Sequence, residues 1–219
     1  PQDVYFAGNS NGVGKVWKNN TLIQSVTDTL LVDISSLQIT SAGDIYTAGY
    51  SHDSLFDQTH GRIWLNDSIV FDAGTNTAIY ELALNGNQWT AAGVGENEWE
   101  NVAGLVWQDG EVLYAFSDSI ASHQIKALVL DTITGDIYTG GCTAEPETRA
   151  VVWKNDTILW IEDSLSTINA IAFDGTNLYA AGSVAQGEQI MATLWRNDSI
   201  IFSISADNAE FNAIALYES

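Results

Sequence analysis

Groups that could ligate a metal or contact a ligand are concentrated between positions 52 and 60 of this 219-residue chain. His52, Asp53, Asp57 and His60 supply the imidazole and carboxylate groups that zinc accepts, and Phe56 lies among them. No regular ligand spacing joins these residues, so a binding loop is the favoured interpretation and a metal centre the weaker one. Asp53, Phe56 and Asp57 are the candidate contacts.

A second candidate contact is Trp99, which stands among acidic residues in the segment 96–101 together with Asn97. An exposed indole on a loop can stack on a sugar ring or enter a protein interface. Local packing of a long loop is the alternative.

Catalysis has little support. Twenty-eight acidic residues make chance carboxylate pairs common, and no Ser-His-Asp or Cys-His set is recognisable. Cys142 is the single cysteine and has no histidine near it in sequence. Calcium would suit the acidic charge, but no twelve-residue calcium loop is present. The sequence therefore predicts a protein that is not an enzyme and carries no cofactor or metal.

The net charge of −21 argues against a nucleic-acid partner, because a phosphate backbone would be repelled. No apolar run reaches the ~18 residues of a membrane span. The chain begins at Pro1-Gln2-Asp3 with no charged and then apolar leader, which predicts either an intracellular protein or the mature form of an exported one.

A repeated tryptophan organises the elements that must position these residues. An aliphatic residue and a tryptophan end an extended run, a polar pair such as Asn-Asp reverses the chain, and a new apolar run follows. Such polar pairs tolerate positive φ, so each copy predicts a tight β-hairpin. A residue that recurs once per repeat is predicted to pack the core. The five copies, 47, 43, 46 and 42 residues apart, are Trp17, Trp64, Trp107, Trp153 and Trp195.

Each repeat also carries an aromatic residue followed by small residues and a glycine, as in Tyr179-Ala180-Ala181-Gly182. Small residues there predict close approach of a neighbouring sheet. Four short strands per ~40–45 residues are typical of a β-propeller blade. The predicted fold is an all-β, five-bladed β-propeller with four antiparallel strands per blade, in one domain of residues 1–219. Four blades cover about 31–72, 73–116, 117–162 and 163–208.

The two ends of the sequence predict the fifth blade. The segment from Phe211 to Tyr217 matches the first strand of a repeat, and the segment from Val4 to Gly8 matches the second strand. Residues 210–219 are therefore predicted to pair with residues 1–30 in one shared blade, which would remove two open sheet edges.

The Trp-Lys-Asn hairpins with Tyr-x-Ala-Gly strands resemble the Trp-Lys-Asn-Gly repeats of surface and secreted propellers of the Bacteroidetes. The blade count resembles the tachylectin-2 type of lectin. These resemblances imply an extracellular or cell-surface module.

The segments between second and third strands vary most among the repeats, so glycan or protein is expected to bind through these loops, which share one face. They are Asn9–Gly12, Tyr50–His60 (the longest), Val94–Asn101, Cys142–Thr148 and Ser183–Gln189. A structural or adhesive subunit that associates with itself is the alternative, and glycoside hydrolysis is a weaker one.

The triplet Asp-(Ser/Thr)-(Leu/Ile) occurs eight times. Turn chemistry explains part of this, since Asp side chains bond to the backbone two residues on. The triplet also resembles the O-glycosylation signal of exported Bacteroidetes proteins, and both interpretations stay open. The candidate hydroxyls are Thr29, Ser54, Ser68, Ser119, Thr132, Thr157, Ser164 and Ser199.

Overall fold

The structure is a computed structural model that describes residues 3–26, 28–96, 102–117, 121–144, 147–187, 189–205 and 209–217. Every regular element in these residues is a β-strand, which confirms the all-β prediction. The strands are β1 (Tyr5–Ser10), β2 (Val13–Lys18), β3 (Thr21–Val26), β4 (Leu31–Ile39), β5 (Ile45–Asp53), β6 (Gln58–Leu65), β7 (Ser68–Thr75), β8 (Ala78–Asn85), β9 (Gln88–Glu96), β10 (Val102–Gln108), β11 (Glu111–Phe116), β12 (His123–Leu130), β13 (Ile137–Ala144), β14 (Thr148–Lys154), β15 (Thr157–Phe173), β16 (Leu178–Gln186), β17 (Gln189–Arg196) and β18 (Ser199–Ser205).

The strands form four antiparallel sheets in which chain neighbours pair. The sheet orders are β1-β2-β3, β4-β5-β6-β7, β11-β10-β9-β8 and β12-β13-β14-β15-β16-β17-β18. The long strand β15 serves two ladders, because its first half pairs with β14 up to Leu165 and its second half pairs with β16 from Ser166 onwards. Separate strands were predicted here. The run from Ile161 to Thr167 contains no glycine or proline to end a strand.

The chain divides into two compact units. The first comprises Pro1–Glu96 and Val106–Leu113, and the second comprises Asn97–Leu105 and Tyr114–Ser219. In the first unit, Val26, Val32 and Trp64 form a buried cluster. In the second, residues of β12 to β17 form a larger core that includes Val152, Ile168 and Trp195. Each unit thus has its own hydrophobic interior.

The tryptophan hairpins have the predicted turn chemistry. Asn19, Asn66, Asp109, Asn155 and Asn197 all adopt positive φ between 48° and 57°. Each also forms hydrogen bonds at the start of the second strand of its own repeat. For example, the Asn155 amide nitrogen donates to the Ile137 carbonyl at 2.7 Å, and Asn155 Oδ1 accepts from the Ile137 N–H at 2.9 Å. The Asn of the motif is therefore a structural residue, because its backbone and side chain both fasten the strand ends.

The lysine of the same motif neutralises an aspartate in the turn before the second strand. Lys154 Nζ lies 2.8 Å from Asp136 and 5.5 Å from the centre of the Tyr138 ring. Lys18 repeats this with Asp3 at 2.7 Å. The Lys154 ammonium, with Asn155 and Thr134, lowers the pKa of Asp136 to about 2.

Acid should weaken these turns. The pKa of Asp174 is also lowered to about 2, because the backbone and side chain of Asn177 and the Thr176 N–H donate to it. A carboxylate with a depressed pKa stabilises the fold above its usual value of 3.8, and this contribution is lost as the pH falls towards about 2. We expect the melting temperature to fall between about pH 4 and pH 2.

The doubly substituted Asp136→Asn, Asp174→Asn chain should show a smaller fall over the same range, measured by circular dichroism. Equal pH profiles for the two chains would contradict the assignment.

A β-bulge interrupts the first strand of each described ladder, for example between Ile125 and Ala127 and between Ile168 and Ala170. Opposite each bulge lies the glycine of the aromatic-small-glycine landmark. A Cβ on Gly141 would lie 1.8 Å from the Gln124 carbonyl oxygen, and one on Gly182 would lie 2.0 Å from that of Thr167. The close approach is therefore to the adjacent strand of the same sheet, and the predicted approach of a neighbouring sheet was wrong at this glycine.

The bulged residues link successive first strands. Ser35 Oγ donates to the Ile79 carbonyl at 2.6 Å. Lys126 Nζ donates to Thr167 Oγ1 and Asn169 Oδ1, each at 3.2 Å, and Asn169 Nδ2 donates to the Phe211 carbonyl at 3.1 Å. A bulge turns its side chain out of the regular ladder, so these polar groups fasten one ladder to the next.

Residues 209–217, predicted to contain a first strand, are assigned to no strand. In this segment the Phe211 N–H donates a hydrogen bond to the Gly182 carbonyl, and the Phe211 ring stacks on Phe202 of β18. The sheet with β1 has three strands. The segment packs on the face of the β16–β18 ladder, no strand is assigned to it among the described residues, and its pairing with β1 stays a prediction.

Candidate binding site

The region predicted as the longest loop is mostly strand. β5 continues to Asp53 and β6 begins at Gln58, so residues 54–57 form a tight turn. Asp53 Oδ1 accepts the Leu55 N–H at 2.9 Å, and His52 Nε2 lies 3.1 Å from Asp57 Oδ1. Phe56 is exposed beside them. The turn thus presents an aromatic ring and two carboxylates on its tip.

His60 does not join that turn. Its Nδ1 lies 3.8 Å from Asp72, and Asp72 accepts from Arg62 at 3.0 Å. Arg62 also pairs with Asp28, to which Ser51 Oγ donates at 3.0 Å. Asp28 and Arg62 are both largely shielded from solvent. This buried ion-pair network ties β6 to the segment before β4, and within the described residues no group of three or more metal-ligating side chains occurs.

Trp99 and Asn97, predicted as binding residues, lie outside the described residues, as does the candidate hydroxyl Ser119. Of the other triplet hydroxyls, Ser164 is half-buried, and the exposed ones are Thr29, Ser54, Ser68, Thr132, Thr157 and Ser199. Thr157 Oγ1 donates to Asp156 at 3.1 Å and Ser199 Oγ donates to Asp198 at 3.1 Å. The triplet hydroxyls therefore lie where an enzyme could reach most of them.

The repeated tryptophans lie inside. Trp64, Trp107, Trp153 and Trp195 are buried, and Trp17 is half-buried and stacks on Phe6 at 5.3 Å. Trp195 Nε1 donates to Glu162 Oε2 at 3.1 Å. These rings are unavailable to a ligand in this arrangement.

A pocket of about 210 Å³ lies in the second unit, where the turn ends of β13–β14 and β16–β17 meet the middle of β15. These strand ends belong to two of the variable segments between second and third strands. The pocket was not predicted by residue, because its lining comes from four strands, β14 to β17, whose contacting residues meet only in the folded chain. Its lining residues are Thr148, Leu165, Ser166, Thr167, Ser183, Ala185 and Ile190.

The hydroxyls of this pocket are partly engaged by the fold. Ser166 Oγ accepts the Ala150 N–H at 2.8 Å and donates to the Ser164 carbonyl at 2.7 Å, so it joins β14 to β15. Thr167 Oγ1 accepts from Lys126. Near these groups, burial raises the pKa of the Cys142 thiol, partly offset by the Lys126 charge and a hydrogen bond from Thr167. The thiol is therefore held in its neutral form.

No family model matches the chain, and no curated protein matches it. Within the described residues there is no helix long and apolar enough to span a membrane.

The fold of this chain is similar to those of solved structures. The WD40 β-propeller domain of Doa1 gives a TM-score of 0.54 at 12% identity, over 95% of this chain and 66% of that one. A protein of unknown function from Bacteroides caccae gives a TM-score of 0.55 at 14% identity, over 94% of this chain and 74% of that one. The chain thus spans just under two thirds of the Doa1 structure. Identities this low show the fold alone: the antiparallel sheets of this chain are those of a β-propeller.

Proposed function

We propose that the chain is a non-catalytic propeller module that binds a glycan or a protein through the turns between second and third strands. The observation that carries this proposal is the open pocket where two such turn ends meet β15. The exposed Phe56 and the carboxylates of Asp53 and Asp57 lie on a third such turn. Ligand sites commonly occupy segments that a rigid scaffold holds in place.

Array binding tests this proposal. The purified chain is applied to a glycan array and to a displayed peptide library, with and without calcium. We expect binding that Phe56→Ala or a pocket substitution weakens at least tenfold. Ile133→Ala, which truncates an exposed side chain on a turn between first and second strands, is the control and should bind normally. If the chain binds neither the glycan array nor the peptide library, the proposal is wrong.

We further propose five blades closed by the two chain termini. If the two halves of β15 are counted as separate strands, the seven-stranded sheet divides in two and the strands form five sheets. Phe211-Asn212-Ala213-Ile214 repeats Ile168-Asn169-Ala170-Ile171. Phe211 and Ile214 lie over Ala181 beside a gap of about 180 Å³, and Ile168 and Ile171 lie over Gly140 in the same way. This similarity supports the proposal that residues 209–217 are the first strand of the fifth blade and pair with β1.

Export and O-glycosylation form part of the proposal. The third residue of two triplets is almost fully exposed, with Leu55 at 87% and Ile133 at 90%. A turn tip gains no packing energy from such a side chain, so recognition by a modifying enzyme accounts for it better than folding does. An extracellular location follows from this proposal and from the sequence resemblance.

Intact mass spectrometry of chain from its native source tests the modification. We expect a mass above the bare 23.7 kDa, and Thr132→Ala should remove one glycan increment. Thr176→Ala, in an equivalent turn outside any triplet, is the control and should remove none. A native mass of 23.7 kDa would contradict the modification.

Self-assembly is a second candidate function, favoured by the outermost strands. β3, β7, β11 and β18 are sheet edges. In each, the second and third residues are exposed and aliphatic, such as Ile69-Val70 and Ile200-Ile201, and none contains lysine, arginine or proline. Natural edges are usually blunted by such residues.

Sedimentation velocity tests this candidate. Edge association should give assemblies that Ile201→Lys reduces, because a charge then lies on the edge. Gln186→Lys, which places the same charge on the exposed end of β16 between two paired strands, is the control and should assemble like the parent. A monomer at all concentrations would contradict self-assembly.

A further inference from the structure

The pocket beside β15 has walls made mainly of carbon. Leu165, Ala185 and Ile190 line it with methyl groups, and the remaining lining side chains are small hydroxyl residues. Among the described residues, no charged, amide or aromatic side chain belongs to the lining. Leu165 is 47% exposed and Ile190 is 39% exposed. Two aliphatic residues therefore stand at the solvent edge of a space that is itself apolar.

A sugar ring is poorly matched to these walls. Ser166 has already used its hydroxyl as donor and acceptor within the fold, and Thr167 already accepts from Lys126. A sugar hydroxyl buried here without a hydrogen-bond partner would lose its bonds to water with no replacement, which disfavours sugar binding. The described lining also contains no aromatic ring on which a sugar could stack and no amide or carboxylate group that could bond to several hydroxyls.

An aliphatic side chain is well matched to the same space. A pocket of about 210 Å³ is smaller than the ~300 Å³ at which sites for drug-sized ligands begin. It is therefore suited to one anchoring group rather than to a whole small molecule.

The charged residues around the pocket indicate which residues should lie next to the bound side chain in a partner. Glu147 and Asp163 are exposed, the first next to Thr148 and the second two residues before Leu165. Two cations also lie nearby: Arg149, which is half-buried, and Lys126, whose ammonium donates to Thr167 Oγ1. The chain as a whole carries −21, so its field attracts basic segments and repels acidic ones.

We propose that this pocket takes an aliphatic side chain, of leucine or isoleucine size, from a protein segment with basic residues on either side. This inference rests on the proposed function and deepens it, because it assigns the pocket to a protein partner and leaves glycan binding to other turns.

NMR titration of the whole, isotope-labelled chain tests the inference. The probes are Ac-Lys-Lys-Leu-Lys-Lys-NH₂, the same peptide with alanine in place of leucine, and the monosaccharides galactose and N-acetylglucosamine. We expect the leucine peptide to shift the amide signals of Thr148, Ser166 and Ile190 in a saturable way. The alanine peptide should bind at least fivefold more weakly.

Two pocket variants guard against a folding artefact. Ala185→Trp fills the pocket and Ile190→Ser removes an aliphatic edge, and both should weaken the leucine peptide at least fivefold. Ala42→Trp, on an exposed turn, is the matched control and should leave the titration unchanged. Equal affinity for the leucine and alanine peptides, or no effect of either pocket variant, would overturn the inference.

The titrations with sugars distinguish a failure of this inference from a failure of the proposed function. Sugars that shift the same amide signals would overturn the peptide assignment and preserve binding at these turns. No shift with any probe would overturn the inference, whereas the proposed function fails only if the glycan array and the peptide library are silent as well.

Discussion

Replacing Gly141 by alanine should lower the free energy of unfolding by more than about 3 kcal/mol, which is beyond most single substitutions. The added Cβ would lie 1.8 Å from the Gln124 carbonyl oxygen and 2.8 Å from its carbonyl carbon. These are backbone atoms of β12, held in register with β13 on both sides of a bulge. No rotamer change can relieve the overlap, so the ladder itself must open.

Gly140 provides a control one residue away. A Cβ there would meet Ile168 Cγ2 at 2.8 Å and Ile171 Cγ2 at 2.9 Å, which are side-chain methyl groups. Alanine already occupies the equivalent position in other ladders, as Ala48 and Ala181. Gly140→Ala should therefore cost about 1–2 kcal/mol. Urea unfolding of both variants measures the difference, and equal stabilities would show that the bulge carbonyl is not the constraint.

The same contact explains the landmark glycine in the four repeats whose first strand carries a bulge. A Cβ on Gly49 would lie 1.9 Å from the Asp33 carbonyl, and one on Gly93 would lie 2.0 Å from that of Ala78. The sequence alone marked these glycines as sites of close approach. It could not identify the approaching atom, because a bulge arises from pairing between strands and leaves no local residue signal.

The sequence predicted most where the interactions are local. Positive φ at Asn66 and Asn155 follows from turn chemistry within a few residues, and the all-β class follows from the period-two alternation. The five-blade count and the pairing of the chain ends stay predictions.

The predicted boundaries failed where the alternation continues across a junction. β15 runs without a break from Thr157 to Phe173, since no breaker residue separates its two roles. The segment around Tyr50–His60 was predicted as a loop but is a strand pair with a four-residue turn.

The candidate site depends on non-local geometry. Thr148, Leu165 and Ile190 belong to three strands and meet only because β15 passes between two ladders. A useful signal was nevertheless present, since the segments predicted to vary between second and third strands do border this pocket. The sequence could predict which segments would border a binding site, but it could not predict that the pocket between them has apolar walls.

Gly8 should decide whether residues 209–217 complete the sheet of β1. Among the described residues a Cβ on Gly8 meets only Trp17 Cζ3, at 3.9 Å, so if β1 were an unpaired edge Gly8→Ala would change the free energy of unfolding by less than about 1 kcal/mol. If the segment pairs with β1 as Ile168 to Phe173 pair with β16, Gly8 takes the place of Gly182. The Glu210 carbonyl then takes the place of the Thr167 carbonyl, 2.0 Å from the new Cβ.

We therefore expect Gly8→Ala to lower the free energy of unfolding by more than about 3 kcal/mol, as Gly141→Ala does, measured by urea unfolding. The control is the chain without residues 209–217. Truncation removes the carbonyl that the alanine would strike, so the two changes should be strongly non-additive in a double-mutant cycle. A mild effect of Gly8→Ala in the whole chain would show that β1 remains a free edge, and the five-bladed ring with a shared blade would then be wrong.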